Sequence, residues 1–381
     1  MLEARCVIVG AGFAGASTAF HLARKGIGPI VLLEREKTLG LHSSGRNASM
    51  VRQVVSNPAI SRLAREGARA ILSIHRTSCR PVGYDLNGSL LYACGARVES
   101  LAREAGMGRA DGLEIQEWSP AEAARRIPLL EGAAYETGWF CPSDGVVDIA
   151  ALLDHYILGA REAGAQVIPG AEAAEAIVEG GRVAGVRAGD VTVRAPAVVN
   201  AAGAWAGPFA RRSGALPIPI RVLRRHLVYT GPFPNISRSW PFVWDVSNEL
   251  YFRPEAAGLL LSPCDEAEVE AGIPEMDPSA LALLVEKVSR HLPALGNFPV
   301  ERSWAGVRMF SPDSSFIIGP DPVLPGFFWA SALGGHGVTT SFAVGALAAD
   351  LVERPGLDAE NRFSPGRFQV GVGRGQGGQD K

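Results

Sequence analysis

Three glycine clusters in this chain stand where chemistry could be held. The first, GAGFAG at Gly10–Gly15, follows the β-branched run RCVIV (Arg5–Val9) and opens a helical pattern, ASTAFHLARKG, that stops at Gly26. A second buried run, PIVLLE, ends at Glu34. GxGxxG alone is a weak signal, but between a buried strand and a helix, with an acid ending the next strand, it marks a dinucleotide-binding turn. Gly10 permits the tight turn, Gly12 lets the backbone approach a pyrophosphate, and Gly15 lets helix pack closely on strand. The helix N-terminus offers free N–H groups and partial positive charge to the phosphates, and Glu34 would accept hydrogen bonds from a ribose. Phe13, Ala14 and Arg35 lie beside them and join them as cofactor-binding candidates. Without a phosphate, the same turn would only pack a helix against a strand.

The second cluster is VVNAAGAW (Val198–Trp205) and the third is ALGGHGVTTSF (Ala332–Phe342). Each follows a buried run and opens a helical pattern. A chain that returns repeatedly to one large molecule suits FAD, and the helix beginning near Gly337 could aim its positive end at the flavin pyrimidine. Ala201, Gly203 and Trp205 are candidates in the second turn; Gly334, Gly335, His336, Gly337, Val338 and Thr339 are candidates in the third. Taken singly, each glycine turn could serve packing alone. Between the first two clusters runs the small, polar loop GLHSSGRNASMV (Gly40–Val51), which cannot bury itself well and is expected to line a site. His42, Ser43, Ser44, Arg46, Asn47 and Ala48 are its cofactor-facing candidates.

The elements that must position these turns alternate along the chain. Helices are expected over Pro58–Arg76, within LAREAG, over SPAEAARRIPLL with Ser119 as N-cap, before the strand at AQV, and over Pro278–His291. A hairpin or meander is expected around Arg182–Val193, and antiparallel strands over Arg221–Thr230, Leu250–Arg253 and Gly258–Ser262. The fold class is α/β plus α+β: a Rossmann-type FAD-binding domain interleaved with an antiparallel-sheet substrate domain. The expected division gives 1–82, 140–216 and 305–369 to the FAD-binding domain and 83–139 and 217–304 to the substrate domain, with 370–381 a disordered tail.

Composition sets limits. The chain has 381 residues, 47% hydrophobic and 20% charged, enough for about two cored domains. A formal charge of −2 points to no nucleic-acid partner. No apolar stretch of about 18 residues suggests a membrane span, and no signal peptide is visible. The five cysteines are scattered without a CxxC pair, so neither a disulfide framework nor a metal site is expected. The expected location is cytoplasmic, or peripheral to the inner membrane if the chain is a dehydrogenase.

With these residues in hand, the chain resembles the D-amino acid oxidase superfamily of FAD enzymes, over about residues 4–355. That group includes glycine and sarcosine oxidases and bacterial D-amino acid dehydrogenases. The closest pattern is that of bacterial D-arginine dehydrogenases: the VxGAGxAGAST opening, LERE, the HSxGR loop, VNAAGAW, the arginine pair before a strand, the YxxP strand, SWAGVR and the GGxG turn. The resemblance implies that Arg308 grips a substrate carboxylate, that Tyr251 hydrogen-bonds the same group, and that Arg225 (Arg224 if the register slips by one) is a further ligand. It implies that the Gly335 carbonyl receives the substrate amine and that Gly306 and Arg308 border the flavin. A guanidinium suits a carboxylate because its planar fork binds both oxygens.

Departures from that pattern alter the pocket. Met50, Arg52 and Val55 stand where the D-arginine enzymes carry a histidine, a threonine and a tyrosine. Thr339 replaces a glutamine and His336 a glycine-flanked tyrosine. D-arginine is therefore not the expected substrate; an acidic or neutral one is. Sarcosine oxidases attach flavin through a cysteine near the WAGVR region, and no cysteine follows Cys264 here, so FAD is expected to be non-covalent.

The reaction so implied is oxidation of the CH–NH bond of a small amino acid or secondary amine, a D-amino acid, glycine, sarcosine or an imino acid, by hydride transfer to flavin N5. The electron acceptor would be oxygen or a quinone or carrier; space and charge around Ala48 bear on which. His42, His226 and His336 are candidates for tuning protonation, His336 first, and each equally suits a structural hydrogen bond. Alternatives are oxidation of a 2-hydroxy acid or a glycerol 3-phosphate-like alcohol, an NAD-dependent dehydrogenase, and a non-catalytic flavin subunit of a complex.

Overall fold

The computed structural model describes residues 1–369; the stretch 370–381, expected to be a disordered tail, lies outside the described residues. A six-stranded sheet runs in the order Gln166–Pro169, Ile30–Glu34, Cys6–Val9, Val198–Asn200, Phe327–Ser331 and Ile317–Pro320. Neighbours pair in parallel except the last two, which are antiparallel. Its inner strands are largely apolar and buried because both faces are covered. Cys6, Ile8, Ile30, Leu32, Phe328 and Ala330 meet the helices Phe13–Arg24, Ile149–Glu162 and Gly337–Glu353 on one side. Val7, Val9, Val31, Leu33, Phe327 and Trp329 meet the meander Ala173–Glu179, Arg182–Ala188, Val191–Arg194 and the helix Ala206–Ser213 on the other.

The helix Pro58–Thr77 begins where Asn57 accepts the N–H groups of Ala59 and Ile60, with Pro58 fixing the first turn. It crosses the start of the helix Gly337–Glu353 so closely that a Cβ on Gly67 would lie 1.9 Å from the Thr339 carbonyl oxygen. That contact fixes the third glycine turn from behind.

A second, nine-stranded sheet carries Ala267–Glu268, Arg221–Tyr229, Gly258–Ser262, Leu250–Glu255, Phe242–Asp245, Ser89–Ala93, Thr137–Cys141 and Gln116–Trp118 in that order, with Arg302–Phe310 also on Arg221–Tyr229. It is antiparallel except where Phe242–Asp245 runs parallel to Ser89–Ala93. One face buries Leu90, Val228, Val243, Phe252 and Leu261 with Leu284 and Val288 of the helix Pro278–His291. Part of the other face turns towards the loop after Glu34, burying Ala48 with Leu227 and Tyr251.

Two expected boundaries fall inside strands of this sheet. The boundary at 139/140 cuts Thr137–Cys141, and that at 304/305 cuts Arg302–Phe310, which pairs along its full length with Arg221–Tyr229. SWAGVR leads by sequence into the last glycine turn, but its backbone hydrogen bonds go to a strand some eighty residues earlier, a pairing that local patterning does not encode.

Candidate active site

The first glycine turn is shaped by close approach. Gly10, at φ +101°, lies so near the second turn that a Cβ would sit 2.4 Å from the Ala201 carbonyl oxygen. A Cβ on Gly15 would sit 1.8 Å from the Gly10 carbonyl oxygen. The helix Phe13–Arg24 has Gly12 at its N-cap, no side-chain cap and no acid in its first turn. Phe13 donates its N–H to Ser44 Oγ at 3.0 Å, while the N–H groups of Gly12, Ala14 and Gly15 find no partner among the described residues. Glu34 is buried and accepts from the N–H of Ala11 at 2.8 Å and of Glu36 at 3.0 Å. It thereby fixes the loop while keeping lone pairs for a further donor.

One cavity continues from this turn to the large sheet. It is lined by Gly10, Gly12, Phe13, Ala14, Glu34, Arg35, His42, Ser43, Ser44, Arg46, Asn47, Ala48, Ala201, Gly203 and Trp205, and then by Gly306, Arg308, Gly334, Gly335, His336, Gly337, Val338 and Thr339. Of the cofactor-binding candidates, only Gly15 lies behind the wall. Arg35 stacks 4.0 Å over Trp205, and His42 Nε2 meets Glu36 at 3.0 Å. His42 Nδ1 is buried without a partner among the described residues. Asn47 donates to the carbonyls of Ser43 and Ser44 and accepts from the N–H of Ser49, which stands at φ +61°. This network holds the polar loop open along the cavity. An uncapped helix N-terminus, a held carboxylate and an orphaned histidine nitrogen along one groove suit an extended dinucleotide such as FAD.

At the far end, strand alternation puts the remaining candidates on one face. Arg308 stands opposite Leu223, Gly306 opposite Arg225, and Trp244 opposite Tyr251. Arg225, Leu227, Trp244, Tyr251, Gly306 and Arg308 all line the cavity. Arg224, one residue away, points off this face and pairs with Asp277 at 2.5 Å, so of the two arginines Arg225 is the one that faces the cavity. Arg225 donates to Glu266 at 3.0 Å and to the Asp265 carbonyl at 3.0 Å, and Arg308 donates to the same Glu266 oxygen. One carboxylate thus bridges two guanidinium groups.

The third turn closes over this pair. Gly334 donates its N–H to the Met309 carbonyl at 2.9 Å, tying the turn to the arginine strand. Gly335, at φ +83°, packs so tightly that a Cβ would lie 2.9 Å from Arg308 Cδ. His336 caps the helix Gly337–Glu353; its Nδ1 lies 3.1 Å from the Gly334 carbonyl and its Nε2 3.2 Å from Arg52 Nη2. These partners set the tautomer: Nδ1–H donates and Nε2 accepts. Burial, then the charges of Arg52 and Arg308, push the His336 pKa down to about 3, so the ring is neutral at working pH. Burial also raises the Tyr251 phenol, which stays a hydrogen-bond donor. His226 lies on the opposite side of its strand and pairs with Asp265 at 2.6 Å, with Nε2 accepting the Asp277 N–H at 3.0 Å. It pins the segment that carries Glu266 and does not reach the cavity.

Trp244 and Glu266 carry no local signature, because each reaches the site through strand pairing or a loop closed from elsewhere. The alternation of the YxxP strand with its neighbour would have found Trp244 had the pairing been known.

A family model described as DAO: FAD dependent oxidoreductase matches residues 5–351. The chain belongs to this family. The superfamily membership and FAD dependence read from the motifs therefore hold. Among curated proteins, the DAO-family chain is 28% identical over 341 residues to mouse mitochondrial sarcosine dehydrogenase, covering 85% of this chain and 37% of that one. It is 25% identical over 378 residues to 4-methylaminobutanoate oxidase (formaldehyde-forming) of Paenarthrobacter nicotinovorans, covering 94% and 46%. The chain thus spans less than half the length of these relatives. L-proline dehydrogenase from P. horikoshii shares the fold with a TM-score of 0.86 at 23% identity, covering 96% of this chain and 98% of that one. Glycine oxidase from Geobacillus kaustophilus does so at 0.79 and 22%, covering 93% and 95%. No helix among the described residues is long and apolar enough to cross a membrane.

Proposed function

We propose that this chain oxidises the CH–NH bond of a small amino acid or secondary amine. The observation that carries the reading is the Arg225–Glu266–Arg308 bridge on the cavity face. A carboxylate already sits between two guanidinium groups next to the third glycine turn, which is where a substrate carboxylate would be gripped. Tyr251 donates to the same group from Leu250–Glu255, which lies across Gly258–Ser262 from the Arg225 strand, and the Gly335 carbonyl accepts from the substrate amine. When bound, FAD supplies the hydride acceptor for the substrate α-carbon. The protein binds, orients and excludes water. His336, held neutral and facing Arg52, orders the turn and moves no proton. The amine must therefore lose its proton before or on binding, and the imine product hydrolyses in water.

Segments 1–82, 140–216 and 305–369 hold the non-covalent cofactor and 83–139 and 217–304 the substrate, with the strand Arg302–Phe310 serving both. Curated relatives named for N-methyl amine substrates support an amine over an alcohol. The deciding experiment is anaerobic bleaching of the visible flavin absorbance with D-amino acids, N-methyl amino acids, imino acids and 2-hydroxy acids. Bleaching by an amine class is expected; bleaching by hydroxy acids or glycerol 3-phosphate alone would overturn the reading. Admitting air afterwards tells oxygen from a carrier as acceptor.

A further inference from the structure

We infer that the substrate carries a second carboxylate and that Arg52 recognises it. The inference rests on the amine-oxidation reading and sharpens it.

Arg52 follows the short strand Met50–Val51, and its N–H donates to Thr339 Oγ1 at 3.0 Å, which fixes its backbone against the last helix. The residue lines the cavity together with Arg225 and Arg308. Its guanidinium lies 4.4 Å from the Trp244 ring centroid, and Nη2 meets His336 Nε2 at 3.2 Å. Nε and Nη1 hydrogen-bond nothing among the described residues, and no carboxylate lies within 4.0 Å of the group. Its nearest acids are committed elsewhere. Asp144 accepts from Ser89 and Gln53, and Glu104 pairs with Arg97 at 3.8 Å. A half-buried guanidinium that rests on an aromatic face with two nitrogens unpaired keeps donors free for an anion.

The placement fits a diacid. Two consecutive residues of the third turn each touch one arginine: Gly335 packs on Arg308, and His336 on Arg52. The two cations therefore flank one turn of backbone, a separation that a small molecule spans. Arg225 and Arg308 share the single carboxylate of Glu266, while Arg52 beside them has no carboxylate in contact, with His336 neutral between Arg52 and Arg308. A substrate with a neutral amine and one carboxylate leaves this excess partly unmatched; one with two carboxylates matches it.

The test uses FAD-loaded enzyme and non-oxidisable acids that perturb the flavin spectrum. Glutarate is expected to bind at least about tenfold more tightly than butyrate, as one added charge-assisted pair implies. In Arg52→Met the difference should shrink to roughly twofold, and in Arg52→Lys part of it should return. In the anaerobic bleaching assay, aspartate, glutamate or N-carboxymethylglycine should reduce the flavin at least about tenfold more efficiently than alanine or sarcosine. Equal affinity for glutarate and butyrate in the native enzyme, or a preference that survives Arg52→Met, overturns the inference. If neutral amino acids bleach the flavin as well as acidic ones do, amine oxidation stands and the second-carboxylate site falls. If no amine bleaches it, amine oxidation falls, and the glutarate–butyrate comparison alone decides whether Arg52 is an anion site.

Discussion

The two ends of the cavity are built by different means. The dinucleotide end is backbone: bare helix N–H groups, glycines at contact distance and one carboxylate that fixes its own loop. The substrate end is side chain: two arginines, a tyrosine and a tryptophan projected from one sheet face, with a glutamate brought in by a separate segment. Backbone sites tolerate no added atom, whereas side-chain sites tolerate exchange and set preference. The first end should therefore fail all at once under mutation and the second by degrees.

The largest effect is expected at the backbone end. Gly15→Ala places a methyl group 1.8 Å from the Gly10 carbonyl oxygen, a clash that only displacement of the helix relieves. The variant should purify colourless or not fold, read by visible absorbance and circular dichroism. A yellow, folded Gly15→Ala protein would break the contrast between the two ends. By comparison, Arg308→Met should keep its colour while kcat/KM falls about a hundredfold or more, the order expected when one member of a buried charged contact is lost. Loss of flavin from Arg308→Met, or unchanged kinetics, would count against its place as a carboxylate ligand.

The same contrast explains what could be read from the sequence. The turn at Gly10–Gly15, its flanking strands and the acid at Glu34 lie within one short βαβ unit, where periodicity and glycine spacing report directly on shape. The helix Pro278–His291 was legible to the residue because Asp277 and Pro278 open it and its apolar spacing is regular. The role of the Arg225–Arg308 face was legible only as a resemblance. Arg225 and Arg308 are about eighty residues apart and meet through a strand pairing that neither local sequence specifies. Glu266 was invisible for the same reason: it is exposed by composition and arrives because His226 clamps Asp265 beside it. The strand that crosses the expected boundary at 304/305 has this origin too.

A smaller effect would sharpen the substrate end. Glu266 occupies the position proposed for a substrate carboxylate and must be displaced on binding. Glu266→Gln keeps the shape and removes the competing charge. Because Glu266 is itself 43% exposed, the pair is screened, and KM should fall only roughly threefold. A rise in KM would mean instead that Glu266 aligns the two arginines for the substrate.

The smallest effect concerns acid. Burial beside Arg52 and Arg308 holds His336 at about 3, below the ~6.5 of a histidine in an unfolded chain. Between those values the unfolded chain takes up a proton that the folded chain refuses. This group therefore costs nothing well above pH ~6.5, lowers stability progressively as pH falls below it, and adds no further cost below about 3. His21, lowered to about 4 mainly by burial, acts in the same direction. His336→Asn retains an acceptor for Arg52 but does not titrate. Its melting temperature should drop less than that of the native chain between neutral and mildly acidic buffer, while the pH dependence of kcat/KM keeps its limbs. Equal acid sensitivity in both proteins would show that the ring is not held neutral. A lost limb would make His336 a proton carrier and move the chemistry from the arginines to the turn.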